Sequence, residues 1–248
     1  MKKILEAAGN RLSALLSARV VKGLAIVLGA GLIAAHAAAQ QSLDTIAQRT
    51  AACAACHGKE GRATSDGYFP RIAGKPAGYL YNQLINFREG RRRYPMMTYM
   101  VDHLSDAYLS EMAQYFANLH LPYPAPQAVD VPAATLERGK ALVLSGDASK
   151  NIPACVACHG KNLTGVAPAI PGLLGLPRDY LNSQFGAWKN GGRRAAAPDC
   201  MAQISNRLSA EDISAATAWL ASQPVPVDTR PASPASIKLP LRCGTVSQ

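Results

Sequence analysis

The chain has 248 residues, of which 48% are hydrophobic and 17% charged, a composition typical of a folded globular protein and not of a disordered one. Its formal charge is +10 at pH 7. Most basic residues are scattered along the chain, which argues against a nucleic-acid-binding surface. The two clusters, at residues 91–93 and 193–194, are interpreted as solvated loop faces, with docking to an acidic partner as the alternative.

The N-terminus has the order of a secretory signal peptide. An apolar stretch from Gly23 to Ala35 follows a basic region with Lys2, Lys3, Arg11, Arg19 and Lys22, and small residues come after it. This order predicts cleavage near residue 37 or 39, so residues 1–39 are assigned to the signal peptide and the mature chain to the periplasm. An uncleaved membrane anchor is the alternative, but the apolar stretch is shorter than the roughly 20 residues of a span. Export excludes nucleic acid as a partner. Cleavage would leave a formal charge of +6.

A helix is predicted from Ser42 to His57, with Leu43, Ile46 and Ala47 on one face. It runs into the first of two C-x-x-C-H motifs, at residues 53–57 and 155–159, each followed by Gly-Lys. Cysteines at i and i+3 present both sulfurs on one side of a helical turn, where they can form thioethers to one porphyrin, and the histidine at i+4 lies under the iron.

The two motifs therefore predict two covalently bound haem c groups. A single C-x-x-C-H could belong to a redox or zinc site, but two copies in an exported chain favour haem. The attachment residues are Cys53, Cys56, Cys155 and Cys158, and the proximal iron ligands are His57 and His159.

From each motif onward, the two halves of the chain align as an internal repeat. Pro70 matches Pro171, and the Tyr-Leu-x-x-Gln segment at 79–83 matches the one at 180–184. In this register Met97 aligns with Met201, 40 and 42 residues after the motif histidines. A thioether stabilises ferrous iron and raises the reduction potential, so these methionines are the predicted distal ligands. Filling of an apolar gap is the alternative, and two further methionines, at 96 and 100, compete with Met97.

The remaining pattern predicts further helices and no strands. Pro76 and Pro177 suit the first turn of a helix, and Gly90 and Gly191-Gly192 suit its end. The last helix of each half is predicted to start after a serine, and Ser209-x-x-Asp212 resembles a capping box. The core stripes predicted on these last helices are Leu109, Met112, Ala113 and Phe116, and Ile213, Ala216 and Leu220.

The expected fold is all-α, with two tandem cytochrome c-like helical domains, each wrapped around one covalent haem. The first domain takes residues 40–120 and the second takes residues 135–222. A proline-rich linker at 121–134 joins them as a semi-rigid spacer. A proline-rich tail at 223–248 is expected to be an extended strap over the surface.

These motifs resemble those of a known family, the tandem dihaem class I cytochromes c of the c-four group. The match rests on the two C-x-x-C-H-G motifs, the two Met-to-Leu-Ser spacings and the repeated Tyr-Leu-x-x-Gln segment, and spans roughly residues 42–222. The resemblance implies axial pairs of His57 with Met97 and His159 with Met201. It also implies a non-catalytic carrier of single electrons, with a terminal oxidase, a cytochrome complex or a periplasmic dehydrogenase as partner. The positive charge adds peripheral association with anionic lipids as an alternative.

Two cysteines, Cys200 and Cys243, depart from the family pattern, as does the tail. The preferred hypothesis is a disulfide between them, because the periplasm is oxidising and no other cysteines remain. The rival hypothesis is that the Cys200 thiolate, instead of the adjacent Met201, ligates the second iron and lowers its potential.

The alternative function is a dihaem enzyme of the peroxidase or thiosulfate-oxidising type, which needs one exchangeable iron site. A plausible methionine for each iron argues against it. His103 and His120 could be substitute ligands or catalytic bases, but surface positions near helix ends are the expected explanation.

Overall fold

A computed structural model of the chain describes residues 44–64 and 67–246. The signal peptide assigned to residues 1–39, together with Ser42 and Leu43, lies outside the described residues. The chain divides at Arg49 into two compact units, and the second, from Thr50 onward, contains both C-x-x-C-H motifs. Within the ranges given above, no helix has the length and apolar character that crossing a bilayer requires.

The predicted helix that ends at His57 is interrupted. Helix α1 covers Ile46–Arg49 and helix α2 covers Ala51–His57. Between them Thr50 leaves the helical conformation, with φ −90° and ψ 1°, and its carbonyl accepts a hydrogen bond from Cys53 N at 3.0 Å. The motif therefore has its own short helix.

Three further helices complete the first half, here residues 50–120. After a 3-10 turn at Lys59–Gly61 come α3 at Ala77–Arg88, α4 at Pro95–Val101 and α5 at Asp106–Ala117. Pro76 lies at the N-cap of α3, and Gly90 follows its end with φ +70°. Helix α5 starts after Ser105, whose Oγ accepts a hydrogen bond from Tyr108 N, as predicted. The whole predicted stripe of α5 is buried, and part of it packs on α3 through Leu80.

The second half, residues 133–222, repeats this order with additions. Its helices are α6 at Ala133–Leu144, α7 at Val156–His159, α8 at Arg178–Lys189, α9 at Cys200–Arg207 and α10 at Ala210–Ser222. A 3-10 turn covers Ala148–Lys150, and two short strands, β1 at Gly165–Val166 and β2 at Ile170–Pro171, pair antiparallel. The absence of strand alternation had predicted no strand, but a two-residue pair is too short to produce a period of two.

Helix α6 packs against α10 at unusually close range. A Cβ on Gly139 of α6 would lie 2.1 Å from the carbonyl oxygen of Ala215 in α10. The predicted stripe of α10, Ile213, Ala216 and Leu220, is buried in the core of this half. Glycine therefore permits a helix contact that any larger residue would push apart.

The start of α10 has the predicted capping box. Ser209 Oγ accepts from Asp212 N at 3.1 Å, and the Asp212 side chain accepts from Ser209 N. Asp212 is 4% exposed and also pairs with Arg138 and Lys150, at 2.7 and 2.6 Å. Burial raises the pKa of this carboxyl, but the two cations more than offset that effect and lower it. The cap thus ties three separate segments of the second half together.

The linker and the tail are extended, and backbone hydrogen bonds attach them to the second half. The linker residues up to Pro132 form no helix, while Ala133 and Ala134 already belong to α6. Gln127 N of the linker donates to Ala221 O at 2.9 Å. In the tail, Ala232 pairs with β1 and the 3-10 turn at Pro234–Ser236 is the regular element that follows. The prediction of a surface strap is confirmed for the part of the tail that ends at residue 246.

Candidate haem-binding sites

Each C-x-x-C-H motif forms a short helix that ends at its histidine. Cys53 and Cys56 lie in α2, while Cys155 caps α7 and Cys158 lies within it. None of these four thiols is in a disulfide. Burial raises the pKa of Cys155 to about 12, so this group is a neutral thiol at physiological pH. The four sulfurs fit the thioether attachment that the motif predicts.

The two motif histidines have the same environment. His57 and His159 are each 8% exposed, and their Nδ1 atoms donate to the carbonyl oxygens of Pro70 and Pro171, both at 2.8 Å. A carbonyl can only accept, so Nδ1 carries the proton and Nε2 has the lone pair with which it could bind a metal. Burial lowers the pKa of both imidazoles, which favours the neutral form that ligates iron.

A glycine turns the chain away directly after each histidine. Gly58 and Gly160 have φ of +73° and +84°, a region that other residues avoid. A Cβ on Gly58 would also lie 2.3 Å from the carbonyl oxygen of Ala63. Backbone geometry therefore explains why a glycine follows the histidine in each motif.

The first distal candidate, Met97, lies in α4 among other methionines. It is half-buried, whereas Met96 is 55% exposed and Met100 is 38% exposed. Thr98, next to it, donates from Oγ1 to the carbonyl of Phe87 at 3.1 Å, which attaches α4 to α3. Among the three methionines of this helix, the burial pattern favours Met97 as the ligand.

The second distal candidate, Met201, lies in the first turn of α9 and is half-buried. Asp199 caps this helix by accepting from Ala202 N at 3.0 Å. The preceding position in the helix, Cys200, forms a disulfide with Cys243. The disulfide prediction is confirmed, and the rival hypothesis that a Cys200 thiolate ligates iron is wrong because its sulfur is already bonded.

The interpretation of the arginine clusters as solvated loop faces is wrong for Arg92 and Arg193. The two loops pair through their backbones, with Arg93 N donating to Gly192 O at 2.7 Å and Arg194 N donating to Arg91 O at 2.8 Å. This pairing turns Arg193 inward, where it is 6% exposed, and leaves Arg92 half-buried. Only the flanking Arg93 and Arg194 are exposed.

The buried arginines join the two halves symmetrically. The Gln184 Oε1 atom accepts from Arg92 at 2.7 Å and from Arg193 at 2.6 Å. Gln83 Oε1 accepts from the same two arginines at 3.0 and 3.2 Å. We call this contact the arginine seam, formed by Tyr79, Gln83, Arg92, Tyr180, Gln184 and Arg193. The repeated Tyr-Leu-x-x-Gln segment thus has a structural reason, which is that both copies meet here.

The seam has an excess of positive charge. Between residues 44 and 246, apart from residues 65 and 66, no carboxylate pairs with Arg92 or Arg193. Burial lowers the pKa of Arg193, and Arg92 lowers it further. Burial alone would raise the pKa of Tyr79, but the two arginines lower it. An anion beside the buried Arg193 and the half-buried Arg92 would therefore be stabilised.

One buried donor beside the seam also lacks a partner. The indole Nε1 of Trp188 is buried without a hydrogen-bond acceptor in the described part of the chain, and the Arg193 guanidinium lies 4.0 Å from the centre of the indole ring. A propionate would supply the negative charge that balances the two arginines. Its oxygens can also accept a hydrogen bond from the indole Nε1. The donor set therefore fits the propionates of haem. In the first half Phe87 takes the place of Trp188 and offers no donor, although the Arg92 guanidinium lies over it at 4.6 Å.

His103 and His120, which lie outside the motifs, are on the surface. The side chain of His103 is 94% exposed, and His120 is also exposed. The expectation that they are surface residues is confirmed.

Sequence reasoning missed the roles of the buried Arg71, Lys75 and Arg193 and of the half-buried Arg92. The repeat contained a signal for Arg92 and Arg193, because each lies two residues after the matched glycines Gly90 and Gly191. Arg71 and Lys75 have no equivalent in the second half, so the repeat gave no signal for them.

The predominantly helical fold, with one buried C-x-x-C-H histidine in each half, defines a c-type cytochrome with two haems. No family model matches the chain. A thiosulfate dehydrogenase electron acceptor of Thiomonas intermedia is 36% identical over 188 residues, which cover 76% of this chain and 86% of the relative. Cytochrome c4 of Pseudomonas aeruginosa is 31% identical over 191 residues, covering 75% and 90%.

Solved structures agree with these relatives. Reduced cytochrome c4 of Pseudomonas stutzeri superposes with a TM-score of 0.62 at 28% identity, covering 71% of this chain and 96% of that one. Thiosulfate dehydrogenase TsdBA of Marichromatium purpuratum also has a TM-score of 0.62, at 33% identity, but the match covers only 36% of that chain and 70% of this one. The chain belongs to the cytochrome c4 family of dihaem c-type cytochromes. It is an electron-transfer protein with two covalently attached haems, and the enzyme alternative is not favoured.

Proposed function

We propose that this protein is a periplasmic carrier that accepts single electrons from a thiosulfate-oxidising dehydrogenase and passes them to a second redox protein. Relatives from Thiomonas intermedia and Stutzerimonas stutzeri, 36% and 37% identical to this chain, are named as electron acceptors of thiosulfate dehydrogenase. The predicted signal peptide supports the periplasmic location. Among the predicted partners, a periplasmic dehydrogenase is therefore the donor, and a terminal oxidase or cytochrome complex is the acceptor.

The observation that carries the carrier function is the matched pair of buried histidines. Each donates from Nδ1 to a proline carbonyl at 2.8 Å and is therefore held in the tautomer that ligates a metal through Nε2. When bound, each haem supplies one-electron chemistry between ferrous and ferric iron. The proposed axial pairs are His57 with Met97 and His159 with Met201, and the proposed attachments are Cys53, Cys56, Cys155 and Cys158. A histidine and a methionine on each haem would leave neither iron with an open coordination site.

The proposed domains are residues 40–120 and 135–222, joined by the linker at 121–134. Separate hydrophobic clusters support this division, one containing Leu80, Ala113 and Phe116 and the other lying within the second half and its edges. The arginine seam holds the two domains together and provides donors for the propionates.

Methionine variants test the axial pairs. Absorption and magnetic spectroscopy of the holoprotein should find two low-spin, thioether-ligated centres, and Met97→Ala and Met201→Ala should each remove one. Met96→Ala is the matched control, since this neighbouring side chain is 55% exposed. A high-spin centre in the unmodified protein, or a denatured chain whose mass lacks two haems, would refute the proposed function.

A kinetic experiment tests the donor. The oxidised protein is mixed with a purified thiosulfate dehydrogenase and thiosulfate, and haem reduction is followed by stopped-flow absorption. Fast reduction that requires both enzyme and thiosulfate is expected. Reduction no faster than with a dehydrogenase of another substrate would contradict the assignment of the donor and leave the carrier function in place.

A further inference from the structure

A lysine of the first half is buried against the second half. Lys75 is 5% exposed, and its Nζ donates to the carbonyl oxygen of Gly172 at 3.0 Å, across a sequence separation of 97 residues. It precedes Pro76, the N-cap of α3, so the start of that helix fixes its backbone. A buried ammonium group with a carbonyl as its partner is costly and therefore needs an explanation.

The partner of Lys75 belongs to the loop that orients His159. Gly172 directly follows Pro171, whose carbonyl oxygen accepts from His159 Nδ1 at 2.8 Å. Burial is the main cause of the lowered pKa of His159, and the charge of Lys75 lowers it further. The ammonium group is therefore close enough to act electrostatically on His159, the residue that would ligate the second haem.

The first half receives no such lysine from the second half, although burial and the charge of Arg92 lower the pKa of His57. In the repeat register that aligns Pro70 with Pro171, Lys75 falls on Leu176, a core residue that is 8% exposed, and Arg71 falls on Gly172. Arg71 instead donates to the linker carbonyls of residues 121 and 122, at 2.6 and 2.9 Å. A buried lysine of the first half thus contacts the second half, whereas the equivalent position of the second half holds a leucine.

We propose that Lys75, a residue of one half, raises the reduction potential of the haem held by the other half. Reduction adds one negative charge to a haem, and a nearby ammonium group in a poorly polarisable interior stabilises the reduced form. The inference rests on the proposed function, in which His159 is an axial ligand. Lys75 acts through the loop that contains Gly172 and through its own electrostatic field, and it does not touch the reacting atoms.

The experiment compares Lys75→Met and Lys75→Gln with the unmodified holoprotein. Both variants remove the charge, and glutamine keeps a donor for the Gly172 carbonyl. Lys140→Met, which removes an exposed charge from α6, is the matched control. Potentiometric titration at pH 6, below the pKa of about 7 that burial gives Lys75, follows each haem separately, with the signals assigned by Met97→Ala and Met201→Ala.

At a fixed applied potential, both Lys75 variants should lower the ratio of reduced to oxidised second haem by about fivefold or more, the scale of one unit charge in a protein interior. The first haem and the Lys140→Met control should change much less. Unchanged ratios, equal shifts at both haems, or a shift in Lys75→Met that Lys75→Gln lacks would overturn the proposal. If Lys75→Met fails to retain both haems, Lys75→Gln decides. Failure of the proposed function is distinct, since the unmodified protein would then lack two thioether-ligated centres.

Discussion

Removal of the disulfide should destabilise the second half and release the tail. The bond joins the first residue of α9, next to Met201, to Cys243, which is 8% exposed. Beside it, Gly244 N donates to the carbonyl of Pro198 at 2.9 Å. The perturbation is the double variant Cys200→Ser/Cys243→Ser, which leaves no unpaired thiol at this place.

The magnitude follows from the closed loop. The sequence separation is 43 residues. Loop-closure entropy for such a loop gives a loss of about 4 kcal/mol in the free energy of unfolding. Helix α9 starts at Cys200 and carries Met201, the proposed distal ligand of the second haem. In the double variant we therefore expect the thioether ligation of the second haem to be lost at a lower denaturant concentration than that of the first.

Urea unfolding, followed by the methionine-to-iron absorption and by circular dichroism, measures both effects. Trypsin adds a local test, because Lys238 is exposed in the tail and should be cleaved faster in the double variant. Ala235→Ser, an exposed change in the same tail, is the control. A loss below about 1 kcal/mol, or equal cleavage rates in the variant and the control, would refute the reasoning that the bond holds the tail and α9.

Three further changes test the packing and the electrostatics. Gly139→Ala places a Cβ 2.1 Å from a backbone carbonyl oxygen and should cost about 1–3 kcal/mol, whereas Gly186→Ala, with nothing within 4 Å, should stabilise its helix by about 0.5–1 kcal/mol. Thermal unfolding compares the two, and effects of the same sign would contradict the close contact. Asp212→Asn should cost about 2 kcal/mol at neutral pH by removing the partner of two cations. The pKa of Asp212 is lowered on folding, so this contribution exists above the unfolded pKa near 4 and is lost as pH falls; a difference unchanged from pH 7 to pH 2 would contradict it. Burial lowers the pKa of Lys75 to about 7, so the unfolded chain binds the proton more tightly, and stability relative to Lys75→Met should rise by at most about 1.4 kcal/mol per pH unit between pH 7 and about 10; a flat difference over that range would argue against burial of the charge.

The local features of the fold were predictable because they depend on neighbours in the sequence. The helix starts after Ser105 and Ser209 follow from side chains that cap the nearest backbone N–H groups. The motif spacing set by Cys53 and His57 requires only one helical turn. The interruption at Thr50 was not predicted, since the alanine-rich segment on either side of it has high helix propensity and no proline or glycine marks the break.

The sequence by itself determined the two haem motifs, the repeat that aligns Met97 with Met201, the caps and the apolar stripes, because each depends on periodicity or on contacts within a few residues. Only the tertiary structure decided that the repeated Tyr-Leu-x-x-Gln segments meet at the arginine seam, and that Arg193 is buried and not solvated. It also decided that Lys75 reaches a carbonyl 97 residues away. A basic residue in a loop looks the same in sequence whether it faces water or a second domain, since its burial depends on how the two halves pack together.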